Sequence, residues 1–380
     1  MFMGGLLKSR VDLILNSRQM YKDLFSWQYL IKNSLVLNYH YHLKEGIAPP
    51  VMNIDIKVTK RCNANCYFCY TEITKGKAKE LNLNQIKEFV NSFGKEKKAF
   101  FLTGGEPFLR LDIFEIIKAI KKQGSSCGIV TNGTLLTESG INQLLDSGLD
   151  NIVFSMHGIS KTNDEIMELR KTVEKMTGSI NLLNKKRKNK HPFILVNSVI
   201  NPKTFKEFKQ IVHITEKAGA DAIRFSHPCF LYINEAIEHK EQSKKRFGEF
   251  IPTSQFITSK NPIYSGDNSN SAIKIEQLTK FKKEIKSKID VLFYPTLNSI
   301  EEKRWYNTPF KTNRKCLYLY TSSFINELGE VNPCQFYPMS MGNILEHKFE
   351  DIWNSKKYQK FRKMVKESLL PGCSRCCKLF

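Results

Sequence analysis

The stretch NIDIKVTKRCNANCYFC, residues 53–69, decides the fold. Asn53 to Val58 alternates polar and apolar residues as a strand does, and Cys62, Cys66 and Cys69 follow directly, at the strand's C-terminal end. Further along the chain, short apolar runs at Ala99–Thr103, Ser126–Thr131, Asn151–Met156, Phe193–Ile200 and Ala222–Ser226 each precede a helix-like segment. The clearest of these segments are Leu83–Phe93, Ile113–Lys122, Ile141–Ser147 and Phe205–Ala218. Strands alternating with helical periodicity predict a parallel α/β fold, here a partial (β/α)6 barrel resembling part of a TIM barrel over residues 49–233. Residues 234–315 turn polar and lysine-rich and read as a connector with one helix, Ile275–Ile285. From Cys316 a hairpin-like stretch (Leu317–Ile325, then Asn326 to Gly329) and an amphipathic helix at Phe349–Val365 predict a small α+β domain over residues 316–380.

Composition narrows the class. A chain of 380 residues with 41% hydrophobic side chains fills a large core. Most of its ten cysteines fall into short-spaced groups near the two ends, which speaks against a secreted disulfide framework and for metal or cluster binding in a reducing cytoplasm. No run of eighteen apolar residues is present and the start lacks a signal-peptide cleavage pattern, so the expected location is cytoplasmic. The formal net charge of +22 favours anionic partners, and a lysine- and asparagine-rich composition accounts for it equally well. The lysines are scattered and are not interleaved with aromatics in a nucleic-acid fold, so no nucleic-acid partner is expected. In residues 1–48, Phe2, Met3, Leu6, Leu7, Val11, Leu13, Ile14 and Leu15 alternate with Lys8, Arg10, Arg18 and Lys22. Such a helix lies at the inner face of a membrane, with Trp27, Tyr29 and Tyr39 as interfacial aromatics, or packs on the protein's own surface; both readings stay open.

Three thiolates at Cys62-x3-Cys66-x2-Cys69 are one short of the four that close a 4Fe-4S site, and a cluster so held keeps one iron open to a small molecule. Zinc competes for thiolates, but structural zinc uses four ligands. This Cys62–Cys69 motif resembles the CxxxCxxC motif of the radical S-adenosylmethionine (SAM) superfamily. The resemblance implies that the open iron binds SAM, that Phe68 lies beside the adenine, and that one electron cleaves SAM to methionine and a 5'-deoxyadenosyl radical that abstracts a substrate hydrogen. Thr103-Gly-Gly-Glu106-Pro107, after the second strand, resembles the family's GGEP motif; Gly104 and Gly105 let the backbone approach the methionine amino group and Glu106 accepts a hydrogen bond. Thr131, Asn132 and Gly133 end the third strand and Ser155 ends the fourth; His157 stands where the family often has Asp for the ribose. Arg170 resembles an arginine that pairs with the methionine carboxylate, and Asn197 on the fifth strand is a candidate ribose contact.

A second group reads Cys316-x12-Gly329-x4-Cys334, then Cys373-x2-Cys376-Cys377. The spacing resembles the SPASM/twitch class of the same superfamily, and implies one auxiliary 4Fe-4S cluster on Cys316, Cys334, Cys373 and Cys376, with Cys377 the alternative to Cys376. A zinc knuckle is the competing reading. Cys127, on a strand, reads as packing. Cys229, after the sixth strand, faces the barrel mouth as a hydrogen donor to a substrate radical, as a cluster ligand or as a core cysteine. The implied activity is an oxidation, crosslink or epimerisation on a small-molecule, sugar or lipid-linked substrate, with an external electron donor such as flavodoxin or ferredoxin. Maturation of a ribosomally made peptide or a protein side chain is the alternative, and a non-catalytic metal-bound nucleic-acid module, suggested by charge alone, a remote one.

Overall fold

The computed structural model describes residues 27–253, 275–307 and 312–379. Strands β1 (Asn53–Thr59), β2 (Ala99–Gly104), β3 (Ser126–Thr131), β4 (Asn151–Ser155), β5 (Phe193–Val199) and β6 (Ala222–Ser226) pair in parallel in chain order. β7 (Asp290–Tyr294) continues the sheet parallel to β6, and β8 (Ser322–Ile325) lies parallel against the other side of β1. The short β9 (Val331–Asn332) returns antiparallel to β8, giving an open sheet in the order β7-β6-β5-β4-β3-β2-β1-β8-β9. The fold is thus a partial parallel barrel with the C-terminal region built onto its first strand.

Alternation along each strand decides which side faces where. On β4, Ile152 and Phe154 point into the main core with Ile194 and Val196 of β5 and Ile223 and Phe225 of β6, all buried. The intervening Val153, Phe193, Leu195 and Ala222, with Phe101 and Val130, form a separate apolar cluster on the concave face. The convex face is covered by α2 (Leu83–Ser92), α3 (Ile113–Lys122), α4 (Glu138–Asp146), α5 (Ser160–Met167), α6 (Thr172–Lys186) and α7 (Phe208–Ala218), which follow the N-terminal α1 (Trp27–Leu43). Caps fix several starts: Asn82 and Gln85 form a reciprocal capping box on α2, and Thr137 accepts from Gly140 N–H on α4.

Two expectations need correction. The connector holds three helices among its described residues, α8 (Ile233–Phe247), α9 (Ile275–Glu284) and α10 (Ser299–Asn307), and supplies β7, where one helix was expected. Its high lysine content hides the signal, because β7 has only a short apolar run and every one of its residues is at least partly exposed. The C-terminal helix is broken into α11 (Phe349–Trp353) and α12 (Lys356–Glu367), because Ser355 caps the second by accepting from Tyr358 N–H.

The N-terminal basic-apolar stretch before residue 27 lies outside the described residues, as do the side chains of Trp27 and Tyr29. In α1, Leu37 and Tyr41 are buried, Tyr41 lying edge-on to Tyr320 at 5.1 Å, while Leu35, Tyr39 and Leu43 are exposed. No helix among the described residues is long and apolar enough to cross a membrane.

Candidate active site

The loop after β1 is anchored before its cysteines begin. Arg61 makes a two-pronged pair with Glu80 (3.0 and 3.2 Å), and Cys62 N–H donates to Thr74 C=O while Thr74 N–H donates to Lys60 C=O. Lys75 holds the carbonyls of Asn63 and Ala64 (2.9 and 2.6 Å), and Asn65 N–H donates to Met167 C=O. Gly104 and Gly105 pass directly behind this loop. A Cβ on Gly105 would stand 2.1 Å from Arg61 C=O and 2.9 Å from Cys62 Cβ, so only glycine lets the two backbones meet. Gly105 N–H donates to Thr59 C=O and Glu106 N–H to Arg61 C=O, which seals that approach.

Glu106 is buried and its carboxylate is fully engaged by the protein. It accepts from Thr131 Oγ1 (2.8 Å), Asn132 N–H (2.7 Å) and Phe108 N–H (3.2 Å). Burial pushes its carboxyl up to about 7 against these hydrogen bonds, which pull it down. Asn132 in turn donates from Nδ2 to Asn63 Oδ1 (2.8 Å) and accepts from Thr134, so the loop after β3 is strutted onto the cysteine loop. The motif leads one to expect Glu106 to accept a hydrogen bond, and the bonds it accepts here come from the protein, making it the post that joins the loops after β2 and β3.

Cys62, Cys66 and Cys69 open onto a cavity of about 1330 Å³ that runs through the concave face of the sheet. Burial pushes the Cys62 and Cys66 thiols up to about 11 and about 12, and the neighbouring thiols add to the rise. Binding a cation there therefore releases protons and relieves the repulsion. Phe68, Gly104, Gly105, Thr131, Asn132, Ser155, Asn197 and Cys229 also line the cavity. Asn197 Oδ1 accepts from Arg224 Nε (2.8 Å) and Ser226 Oγ (2.6 Å), which fixes the amide at the cavity wall.

His157 stands edge-on to Phe68 at 4.7 Å and lines the same cavity. Its Nδ1 accepts Val199 N–H (3.1 Å), so the neutral ring carries its proton on Nε2. Burial pulls its pKa down to about 3, so it stays neutral at any working pH. The sequence noted His157 only as a departure; its tautomer is fixed by a strand it meets only after folding.

Arg170 is not part of the cavity. Asp164 accepts from Lys171 N–H and Thr172 N–H (both 2.8 Å), turning the corner between α5 and α6 outward, and Arg170 lines a separate surface groove there. The cations of the cavity wall are Arg224, Lys282, Arg314 and Lys378, none of them singled out from the sequence. Lys378 pairs with Asp55 (2.7 Å), Lys282 with Glu302 and Arg314 with Glu301. Arg224 instead uses Nε on neutral Asn197 and lies over Tyr294.

The second cysteine group is brought together by the C-terminal region, which pairs through β8 with β1, and by the loop after β6. Cys316, Cys334 and Cys373 sit close enough that Cys373 opposes ionisation of the other two, and burial, the larger effect, pushes Cys316 up to about 12. Tyr337 Oη meets Cys373 Sγ at 3.0 Å. Cys229, Cys376 and Cys377 form a contiguous thiol trio, with Cys377 in hydrogen-bonding contact with the other two. Cys127 is fully buried in the apolar core, as expected. Among the described residues no three His, Cys, Asp or Glu side chains converge as a single metal ion requires. The donor set itself, all thiols with Cys316, Cys334 and Cys373 near one another, is that of an iron-sulfur cluster.

Comparison with known proteins agrees with this geometry. Residues 56–214 match the radical SAM superfamily model, and residues 316–377 match that of the SPASM iron-sulfur cluster-binding domain. The AdoMet-dependent heme synthase of Methanosarcina barkeri is 25% identical over 331 residues, covering 84% of this chain and 86% of its own length. The tungsten-containing aldehyde ferredoxin oxidoreductase cofactor-modifying protein of Pyrococcus furiosus is 24% identical with the same coverage. Streptococcus suis SuiB bound to S-adenosylmethionine superposes with a TM-score of 0.60 at 15% identity, over 98% of this chain and 83% of that one, a likeness of fold alone.

Proposed function

The chain belongs to the radical SAM superfamily and carries a C-terminal SPASM domain, and on that premise we propose that Cys62, Cys66 and Cys69 hold the SAM-binding 4Fe-4S cluster. When bound, that cluster supplies the electron that cleaves SAM and yields a radical able to abstract a substrate hydrogen. The observation that carries the assignment is the cysteine loop opening onto the cavity with Gly104 and Gly105 pressed against its back.

The surrounding residues have distinct roles in this reading. The Glu106–Thr131–Asn132–Asn63 chain of hydrogen bonds keeps the three thiols in register. Phe68 and His157 form one wall for the adenosine, and His157 Nε2–H, Ser155 and the Asn197 amide supply polar groups to its oxygens and nitrogens. The apolar cluster of Phe101, Val130, Val153, Phe193 and Leu195 keeps water from the reacting hydrogen. The Cys316, Cys334 and Cys373 thiols, with a fourth from the thiols beside them, hold an auxiliary 4Fe-4S cluster, which makes a net oxidation, crosslink or epimerisation accessible. An external reductant such as ferredoxin or flavodoxin delivers the starting electron.

For the substrate we favour a small molecule bearing a carboxylate or phosphate. Arg224 lines the cavity on the β6 side with no carboxylate partner among the described residues, its charge reaching the Cys377 thiol, and a planar fork suits such a group. The two relatives named above that span most of the chain are a heme synthase and a cofactor-modifying protein, which supports a small substrate over a peptide. Replacing Arg224 with Leu is expected to raise KM for the substrate while leaving slow, substrate-free SAM cleavage intact; equal loss of both contradicts this role. A lipid-linked substrate stays within the proposal through the exposed apolar residues of α1.

A further inference from the structure

Six thiols gather at the auxiliary site, where one cube needs four. Three of them, Cys316, Cys334 and Cys373, approach from separate points of the C-terminal region. The remaining three compete for the last position. Cys376 and Cys377 belong to the same tight turn as Cys373, in which Cys376 N–H donates to Cys373 C=O. Cys376 Sγ accepts Lys378 N–H at 3.4 Å, a contact that a ligand sulfur also makes, so the turn by itself does not choose among the three. Cys229 comes from the radical SAM core, on the loop after β6, and meets the turn from the opposite side.

That meeting is held by a buried network. Arg375, between the cysteines of the turn, is 1% exposed and pairs with Glu235 at 2.6 Å. Its Nε donates to Trp305 C=O (2.7 Å), and its guanidinium lies 4.4 Å from the Phe230 ring centre and 5.0 Å from that of Tyr232. Trp305 Nε1–H donates to Pro228 C=O (3.0 Å), the residue before Cys229. Gly372 N–H donates to His239 Nδ1 (3.0 Å) on α8. A buried ion pair adds little net stability and is best justified by the geometry it specifies. Here it fixes the Cys229 loop against the cysteine turn. Cys127 shows what a packing cysteine looks like in this chain, fully buried in the main core away from any other thiol, whereas Cys229 lines the cavity and touches sulfur.

We propose that Cys229 is the fourth iron ligand of the auxiliary centre, so that the radical SAM core and the C-terminal segment share one cluster at the cavity wall. Cys377 then stands as a thiol hydrogen-bonded to a ligand sulfur, a contact that tunes a cluster's potential. This rests on the reading that the C-terminal cysteines hold a cluster.

The test uses the anaerobically purified full chain with Cys62, Cys66 and Cys69 replaced by Ala, which isolates the auxiliary centre. About four irons per chain are expected. On that background Cys229→Ala is expected to lower the iron content and change the electron paramagnetic resonance signal of the dithionite-reduced protein, while Cys376→Ala leaves both unchanged. In the otherwise unaltered holoprotein, peptide mass spectrometry after iodoacetamide should find Cys229 about tenfold less alkylated than after chelation. Four irons with an unchanged signal in Cys229→Ala, or a Cys229–Cys377 disulfide in the iron-loaded protein, overturns the inference and leaves the auxiliary cluster standing. No iron in the triple variant itself overturns the auxiliary cluster as well.

Discussion

Gly105 carries more of the site than its lack of a side chain suggests. Replacing it with Ala puts a Cβ 2.1 Å from Arg61 C=O, backbone against backbone, so the cysteine loop must move. Gly105→Ala is expected to lose the iron of the first cluster and keep that of the second, about four of eight irons per chain by colorimetric assay. Unchanged iron would show that the loop tolerates the shift. Glu106 adds a pH dependence with a definite sign. Its folded-state pKa, about 7, lies above the ordinary 4.5, so the stability it contributes is fully present below 4.5 and is lost as pH rises to about 7. The whole swing is roughly 3 kcal/mol. Glu106→Gln should therefore flatten the urea midpoint between pH 4.5 and 7, whereas a slope equal to wild type would place that titration elsewhere. At this scale the cysteines and glycines were legible in the sequence, because their spacing is local. The orientation of Arg170 was not, since Asp164 caps the corner that turns it outward, and neither was the tautomer of His157, which depends on Val199 of another strand.

Among elements, the loops that end the strands matter more than the strands. The loop after β3 reaches the cysteine loop through one side-chain bond, Asn132 Nδ2 to Asn63 Oδ1, and Asn132→Ala removes it together with the acceptor for Thr134. The expected cost is about 1–3 kcal/mol, read from urea unfolding. The turn at Cys373–Cys377 depends on Arg375, whose removal leaves Glu235 buried without its partner. Arg375→Ala is expected to cost about 3–5 kcal/mol, and a loss under about 1 kcal/mol would mean that water replaces the guanidinium. Strands β1 to β6 were readable because each alternates or runs apolar between helical segments. β7 was not, because it is five residues long inside a lysine-rich stretch and is defined by pairing with β6. The break between α11 and α12 was missed because the amphipathic pattern continues across Ser355, whose capping role shows only in its bond from Tyr358 N–H.

The whole molecule joins two cysteine centres through one sheet and one cavity. β8 pairs with β1, so the C-terminal region grows from the strand that presents the first three cysteines, and Lys378 reaches back to Asp55 on that strand. The N-terminal helix is tied into the same region by Leu37 and Tyr41, which leaves Leu35, Tyr39 and Leu43 facing out. If that face meets a bilayer, replacing those three with Ser should lower co-sedimentation with anionic vesicles, and unchanged sedimentation would assign the face to another role. The sequence reads as two separate cysteine groups; only folding brings Cys229 of the core beside Cys377 of the C-terminus. The central claim is that Cys62, Cys66 and Cys69 hold a redox cluster that cleaves SAM. It is tested most directly by incubating the anaerobically purified, dithionite-reduced protein with SAM and quantifying 5'-deoxyadenosine by chromatography. Formation of 5'-deoxyadenosine by the wild type, abolished in the Cys62, Cys66 and Cys69 to Ala variant, is the predicted result; none from an iron-loaded wild type contradicts it.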